Sequence, residues 1–328
     1  MNVKNQSRNN SIDVFKTVLL FFLLTAHSLP NSFPEIGPKT GVMFCLHLNS
    51  FSRIVVPIFF ILTGYFLRNR LQDGKYIVKY LKRLAILYFV WQLIYLKFIL
   101  KAYNANIITF ESLLLDLFWG IGHLWYLNAT ILAVFFIFLI RNFETKTKLQ
   151  IAFFLLFICY SLQIIMKYQM VFNVDKLREI LWYLGTERNF LFYGLPYILL
   201  GTLYDNWKVQ INKINFLLIP LLILIVLESY FYIQLGKRTF NIFLTALPIS
   251  LILVNKVLEG QFKTSLKINP TLPIGIYLCH FYAVYYVFRK FPNVPIEFEV
   301  FKFLLICLLT IVIWFVLDKI NKKFPYFF

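Results

Sequence analysis

The sequence predicts an all-α membrane protein: a bundle of about ten transmembrane helices with both termini cytoplasmic. Three observations predict it. Hydrophobic residues make up 60% of the 328, and charged residues only 15%. Apolar stretches of about 20 residues, the length that crosses a bilayer core, recur from end to end. Lys and Arg gather in alternate connecting segments, and short cytoplasmic loops carry such an excess. No polar stretch is long enough to bury a core of its own. A single integral-membrane domain over 1–328 is therefore expected, with no appended soluble domain. No internal repeat and no low-complexity linker interrupts it.

The spans are expected at 12–29, 50–67, 84–103, 121–140, 149–166, 188–204, 214–233, 239–257, 270–288 and 298–317. The first follows Lys4 and Arg8. Asp13 and Lys16 at its start argue against a cleaved secretory leader. The second, rich in Phe and Ile, closes on Arg68. Before the third, Lys75, Lys79, Lys82 and Arg83 recur at helical spacing and give one basic face at the cytoplasmic surface. Phe110–Trp119 is apolar but short and holds Glu111 and Asp116, so it is expected to be interfacial or re-entrant. The fourth opens at the outer surface with Gly122-His123-Leu-Trp125-Tyr126, where an aromatic belt accounts for Trp125 and Tyr126. The fifth follows the cations from Arg141 to Lys148, and the sixth returns to a loop with Lys208 and Lys213. The seventh carries Glu228 towards the outer interface, and the eighth ends at Lys256. The ninth follows Lys263 and Lys267, and the tenth runs into Lys319, Lys322 and Lys323.

With the N-terminus inside, most of the 33 Lys and Arg fall in cytoplasmic segments, so the formal charge of +18 reflects topology. Spread over short loops, it does not describe a nucleic-acid surface, and no nucleic-acid partner is expected. The lipid bilayer is the implied surrounding. Cys45, Cys159, Cys279 and Cys307 have no metal-site spacing and read as small packing residues, so no metal is expected.

Phosphate-loop, dinucleotide, zinc-protease and nucleophile-elbow motifs are all absent. Chemistry is left to the few polar residues at membrane depth and to the basic inner rim. Lys16 and His27 are 11 residues apart. At about 100° per residue they share a helix face, roughly 16 Å apart along the axis. Ionisable groups inside a membrane are costly and usually face a bundle interior or a cavity. A neutral imidazole can take a proton from a hydroxyl and return it; equally, His27 can be a structural hydrogen-bonding residue. Lys16 can face the interior or snorkel to the inner headgroups, with Asp13 three residues earlier as a partner. Lys79, Lys82, Arg83 and Arg68 suit a phosphorylated cytosolic ligand, and equally ordinary inner-loop charge. Tyr277 and His280 are three apart and touch neighbours on one face. His47 reads as a surface-loop residue.

Taken in order, these motifs resemble the integral-membrane acyltransferase family 3. Lys16 through His27 is similar to the family's Arg, ten residues, His. Ser11-Ile-Asp13-Val-Phe-Lys16 resembles its opening "lDxxR". Arg53-Ile-Val-Val-Pro57-Ile-Phe59-Phe60-Ile-Leu-Thr63-Gly64-Tyr65 resembles its second span, with Thr63 in place of the usual Ser. The run from Lys79 to Trp91 resembles its basic approach to span three, with Lys79, Tyr80, Lys82 and Arg83 replacing a spaced Arg pair. His123-Leu-Trp125-Tyr126-Leu127, Tyr193 to Gly201 and Leu272 to His280 resemble later family motifs.

The resemblance implies a ten-helix O-acyltransferase of the bacterial cytoplasmic (inner) membrane. It would take an acyl group, usually acetyl, from cytosolic acetyl-CoA and give it to a hydroxyl of a cell-surface polysaccharide or its lipid-linked precursor. It implies His27 as catalytic base, Lys16 as its helix partner, and Lys79, Lys82, Arg83 and Arg68 as the acyl-CoA rim. Asp13, Thr63, His123, Trp125, Tyr277 and His280 would be supporting or substrate-contacting. The competing reading is a transporter or flippase for a lipid-linked glycan, against which stands the absence of a repeated half.

Overall fold

The computed structural model describes residues 10–28, 50–168, 174–186, 188–234, 242–262, 264–292, 298–323 and 326–328. Lys4, Arg8, Cys45, His47 and Lys263 lie outside them. Among the described residues all regular structure is helical: α1 Asn10–Ser28, α2 Val55–Leu67, α3 Gly74–Asn104, α4 Phe110–Trp119, α5 Trp125–Leu139, α6 Thr145–Tyr168, α7 Val174–Tyr183, α8 Leu195–Thr202, α9 Tyr204–Lys213, α10 Leu218–Gln234, α11 Ala246–Leu258, α12 Leu272–Lys290 and α13 Glu299–Asn321.

Five of the described helices are long and apolar enough to cross a membrane; a sixth joins them if α9 and α10, bent by 70° at their junction, count as one span. Large apolar side chains lie bare on the outer faces. Phe153, Phe154 and Phe157 of α6, Ile219 and Ile223 of α10, and Phe301, Leu304 and Leu308 of α13 are all exposed. Patches of that extent suit hydrocarbon, where a soluble monomer would bury them. The cysteines Cys159, Cys279 and Cys307 are buried, as packing residues are.

The expected spans are matched unevenly. The segments expected at 50–67, 188–204 and 239–257 contain α2, α8 and α11, of 13, 8 and 13 residues. These short helices sit at the centre of the main apolar core, sheltered by protein, so lipid thickness does not set their length. A tight turn at Ser52–Ile54 prolongs α2, and a π-helical turn at Phe190–Gly194 prolongs α8. The third span was expected from 84, but its helix begins ten residues earlier. The Asp73 side chain accepts from the Tyr76 N–H and caps it at Gly74, so the basic approach and the span are one 31-residue helix. Helices α7 and α9 were not anticipated. The second is amphipathic, tied to α11 where Asn255 Nδ2 donates to Asn212 Oδ1 at 2.7 Å.

The central crossing is α2 against α8. A Cβ on Gly64 would strike the Ile198 carbonyl oxygen, and one on Gly201 the Ile61 carbonyl oxygen. Close backbone approach through facing small residues is how helices pack when lipid offers no hydrophobic drive. Helix α1 runs alongside α12, with Leu20 and Leu24 packed near Leu272 and Ile276. Helix α13 packs on both α12 and α1, with the Trp314 indole against Gly275 and Cys307 clustered with Leu20 and Leu24.

Glu228 does more than reach an interface. Its carboxylate accepts from the backbone N–H groups of Leu244 and Thr245 and from the Thr245 hydroxyl, at 2.7, 3.1 and 2.6 Å. It thereby satisfies donors at the start of α11.

Candidate functional site

Helix α4 is only 10 residues, too short to cross, as its length and acidic residues foretold. The chain after it turns back into the bundle. Gly120 and Gly122 adopt φ of 113° and 58°, and a Cβ on Gly120 would crowd the backbone of Trp125. Non-helical backbone survives at membrane depth only where protein satisfies it. Here Gln92 donates to the Leu117 carbonyl at 2.9 Å and accepts from the Ile121 N–H at 3.2 Å. Asn128 donates to the Phe118 carbonyl, and the Tyr277 hydroxyl donates to the His123 carbonyl, both at 2.7 Å.

This satisfied turn changes the picture of the aromatic run. His123 was expected at the outer surface; it is 4% exposed, inside the bundle. Trp125 and Tyr126 read as an interfacial belt from composition, while the resemblance made Trp125 a supporting or substrate-contacting residue; both line the cavity. The reason is the satisfied turn, which draws the start of α5 inward.

The cavity has a volume of about 450 Å³, within the usual range for small-molecule sites. Asp13 and Lys16 line it at one end of α1 and His27 at the other, so the shared helix face does look into one space. The Lys16 ammonium lies 5.0 Å from the centre of the Phe66 ring, also in the wall. Thr63 lines the middle, its hydroxyl donating to the Phe59 carbonyl at 2.9 Å. Tyr277 completes the wall from α12.

Next to His27 is a row of tilted imidazoles. The ring centres of His27 and His280 are 5.1 Å apart, and those of His280 and His123 4.7 Å. His280 Nδ1 lies 2.7 Å from the Tyr277 carbonyl oxygen. A carbonyl only accepts, so Nδ1 carries the proton and, in the neutral ring, Nε2 presents its lone pair. Neither ring nitrogen of His123 has a hydrogen-bond partner among the described residues. Tyr95 meets His123 edge-on, and Phe281 lies tilted against it with ring centres 5.3 Å apart.

The expected rim is not part of this wall. Lys79, Lys82 and Arg83 are exposed on the first turns of α3, outside the cavity lining. Arg68 is engaged with Asp205 at 3.1 Å and lies 3.8 Å from the centre of the Tyr65 ring.

Two lining residues escaped the sequence reading as site candidates, Arg53 and Arg188. Arg188 precedes Asn189, whose side-chain oxygen accepts from the Leu191 and Phe192 N–H groups at 2.9 Å and caps the π-helical turn. That cap aims Arg188 at the cavity, its guanidinium 5.7 Å from the centre of the Trp125 ring. Arg53 sits in the tight turn before α2. No motif singles out Arg188, and Arg53 looks like an ordinary interfacial cation before an apolar run.

A base, two guanidiniums and an aromatic wall around one space can hold an anion and move a proton at a bound hydroxyl. Among the described residues, no group of three His, Cys, Asp or Glu is placed to hold a metal ion.

A protein-family model described as an acyltransferase domain matches residues 9–319. An amino-acid racemase of Enterococcus faecalis is 25% identical over 334 residues, covering 96% of this chain and 47% of the relative. The chain thus spans about half the length of that curated relative. No solved structure matches.

Proposed function

The chain belongs to acyltransferase family 3, and from that premise we propose that it is an O-acyltransferase of the bacterial cytoplasmic membrane. It takes an acyl group, acetyl by preference, from cytosolic acyl-CoA. The acceptor is a hydroxyl of a surface polysaccharide or of its lipid-linked precursor. With ten spans and cytoplasmic termini, as this reading takes them, the Asp13–Lys16 end of the cavity faces inside and the His27 end outside.

The observation that carries the reading is the single cavity holding Lys16 and His27 at opposite ends, about 16 Å apart by helix rise. The polyanionic headgroup of the donor stays with the cations of Lys79, Lys82, Arg83 and Arg68. Its long, thin pantetheine arm enters past Lys16 and brings the thioester to His27. His27 removes the proton of the acceptor hydroxyl as that oxygen attacks the thioester carbonyl. The carbon–sulfur bond breaks and the proton goes to the departing thiolate. Orientation falls to the aromatic wall of Trp125, Tyr126 and Tyr277. The racemase relative is twice this chain's length, so its printed activity is not carried over.

The test is transfer of labelled acetyl from acetyl-CoA to surface glycan in membranes with and without the protein. Protein-dependent label in an alkali-labile ester is the expected result. No label with several donors and acceptors would favour a transporter and leave His27 a structural residue.

A further inference from the structure

His280 is the buried group that the reaction as proposed leaves without a task. It is fully buried on α12 and is not part of the cavity wall that His27 lines. Its Nδ1 lies 2.7 Å from the Tyr277 carbonyl oxygen and 3.2 Å from that of Ile276. Carbonyls only accept, so Nδ1–H donates to both and the ring is held as one tautomer. That clasp turns Nδ1 back on its own helix and leaves the Nε2 lone pair for a partner elsewhere. Nε2 is buried and has no hydrogen-bond partner among the described residues. Buried polar atoms in folded proteins are nearly all satisfied, so an empty acceptor here calls for a donor.

Two imidazoles stand near enough to supply it. The ring centre of His27 is 5.1 Å from that of His280, and the ring centre of His123 is 4.7 Å from it. An imidazole nitrogen sits about 1.2 Å from its ring centre, so rings 5.1 Å apart can share an N–H···N bond of about 2.9 Å. His123 is poorly placed to turn towards Nε2. Its backbone carbonyl accepts from the Tyr277 hydroxyl, and the residue is 4% exposed, with Tyr95 edge-on and Phe281 tilted against its ring. His27 borders the open cavity and has space to turn. The small off-rotamer turn costs less than a buried acceptor left empty.

Taking His27 as the base of the acyl transfer proposed above, we propose that His280 is its positioning residue: Nε2 of His280 accepts the N–H of His27. One His27 nitrogen is then committed as a donor, and the other keeps its lone pair for the cavity. A base held in one orientation and tautomer by a third group is a recurrent arrangement for activating a hydroxyl. Where that third group is a carboxylate, it brings a charge. Here it is a neutral imidazole, whose own tautomer two backbone carbonyls fix. The arrangement adds no anion to the bundle interior, where an ionised group is costly. The free His27 nitrogen takes the proton of the acceptor hydroxyl and later releases it to the departing thiolate, while the His27–His280 bond stays in place.

The test uses the full chain in lipid nanodiscs with isotope-labelled histidine nitrogens. The sequence holds four histidines, few enough to assign by replacing each in turn. NMR without donor or acceptor should show the His280 proton on Nδ1 and a coupling through an N–H···N bond between His27 and His280. A His280 proton on Nε2, a bond to His123 instead, or no bond between the rings would overturn the proposal, whether or not any variant folds. In the labelled-acetyl assay, His280→Phe keeps the bulk of the ring and removes the acceptor. It should lower kcat about 100-fold and leave KM for acetyl-CoA within about twofold. His280→Gln, whose amide oxygen can stand where Nε2 stood, should recover about tenfold of that loss. Transfer by His280→Phe within about twofold of the unaltered chain would also overturn the proposal. The NMR reading needs no turnover, so a chain that pairs the two rings and transfers nothing counts against the enzyme reading and not against the pairing.

Discussion

In the proposed reaction, His27 is the residue on which the chemistry turns. Its replacement by Ala should lower acetyl transfer by about 100-fold or more, the usual share of a general base. Membrane abundance, read by immunoblot, should stay normal. Lys16→Arg should retain transfer, because charge at the cavity mouth persists, whereas Lys16→Ala should lose most of it. Both outcomes are read in the labelled-acetyl assay. These two residues were legible because an 11-residue spacing on a helix admits one geometry. His280 was legible only as a residue able to touch a neighbour; its place beside His27 and His123 depends on how α12 lies along α1 and the buried turn. Arg188 was not legible at all. Its position comes from an Asn cap and a π-helical turn, neither of which leaves a periodic trace.

At the scale of elements, the site depends on two features with no chemistry of their own. The first is the α2–α8 crossing, which sets Phe59 and Thr63 against the cavity. Gly64→Ala or Gly201→Ala forces a Cβ into an opposing carbonyl. Overpacking of that kind costs about 1–3 kcal/mol, which should appear as a lower melting temperature in detergent. The second is the buried turn after α4. Gln92→Leu would leave the Ile121 N–H without its partner, while the Leu117 carbonyl keeps the Tyr88 hydroxyl at 3.3 Å. An orphaned buried donor costs about 1–3 kcal/mol, so the variant should melt earlier and transfer less. The sequence pointed to a short re-entrant or interfacial piece, since ten residues cannot span and two carry charge. It could not show the turn entering the bundle, because Gln92 and Asn128 look like any polar residue on an apolar helix. The short central helices α2, α8 and α11 were read at full span length because apolar composition continues past their ends into turns.

Over the whole molecule, the proposed topology puts Lys146 on the cytoplasmic side and Asn104 outside. Single cysteines at these positions, in a chain with its four native cysteines replaced, should be labelled from opposite faces of the membrane by an impermeant thiol reagent. Labelling of both from one face would break the ten-span scheme. All-helical, lipid-facing character was plain from composition, since burial of so much Phe and Ile in water would need a far larger chain. The count of crossings was harder to read, because helices inside a bundle need not match the bilayer. The cavity between Lys16 and His27 also bears on how the membrane keeps its energy. If the cavity admits an acyl arm as proposed, it is also a route for protons unless something opposes them. Fixed cations on its wall do so: at an effective dielectric of 20, a unit charge 4 Å away repels a cation by about 4 kcal/mol. Proteoliposomes holding this protein should therefore keep a pH gradient, and those with Lys16→Ala should dissipate it faster. The lysine would then serve as electrical insulation for a membrane that must be opened to chemistry and stay closed to ions.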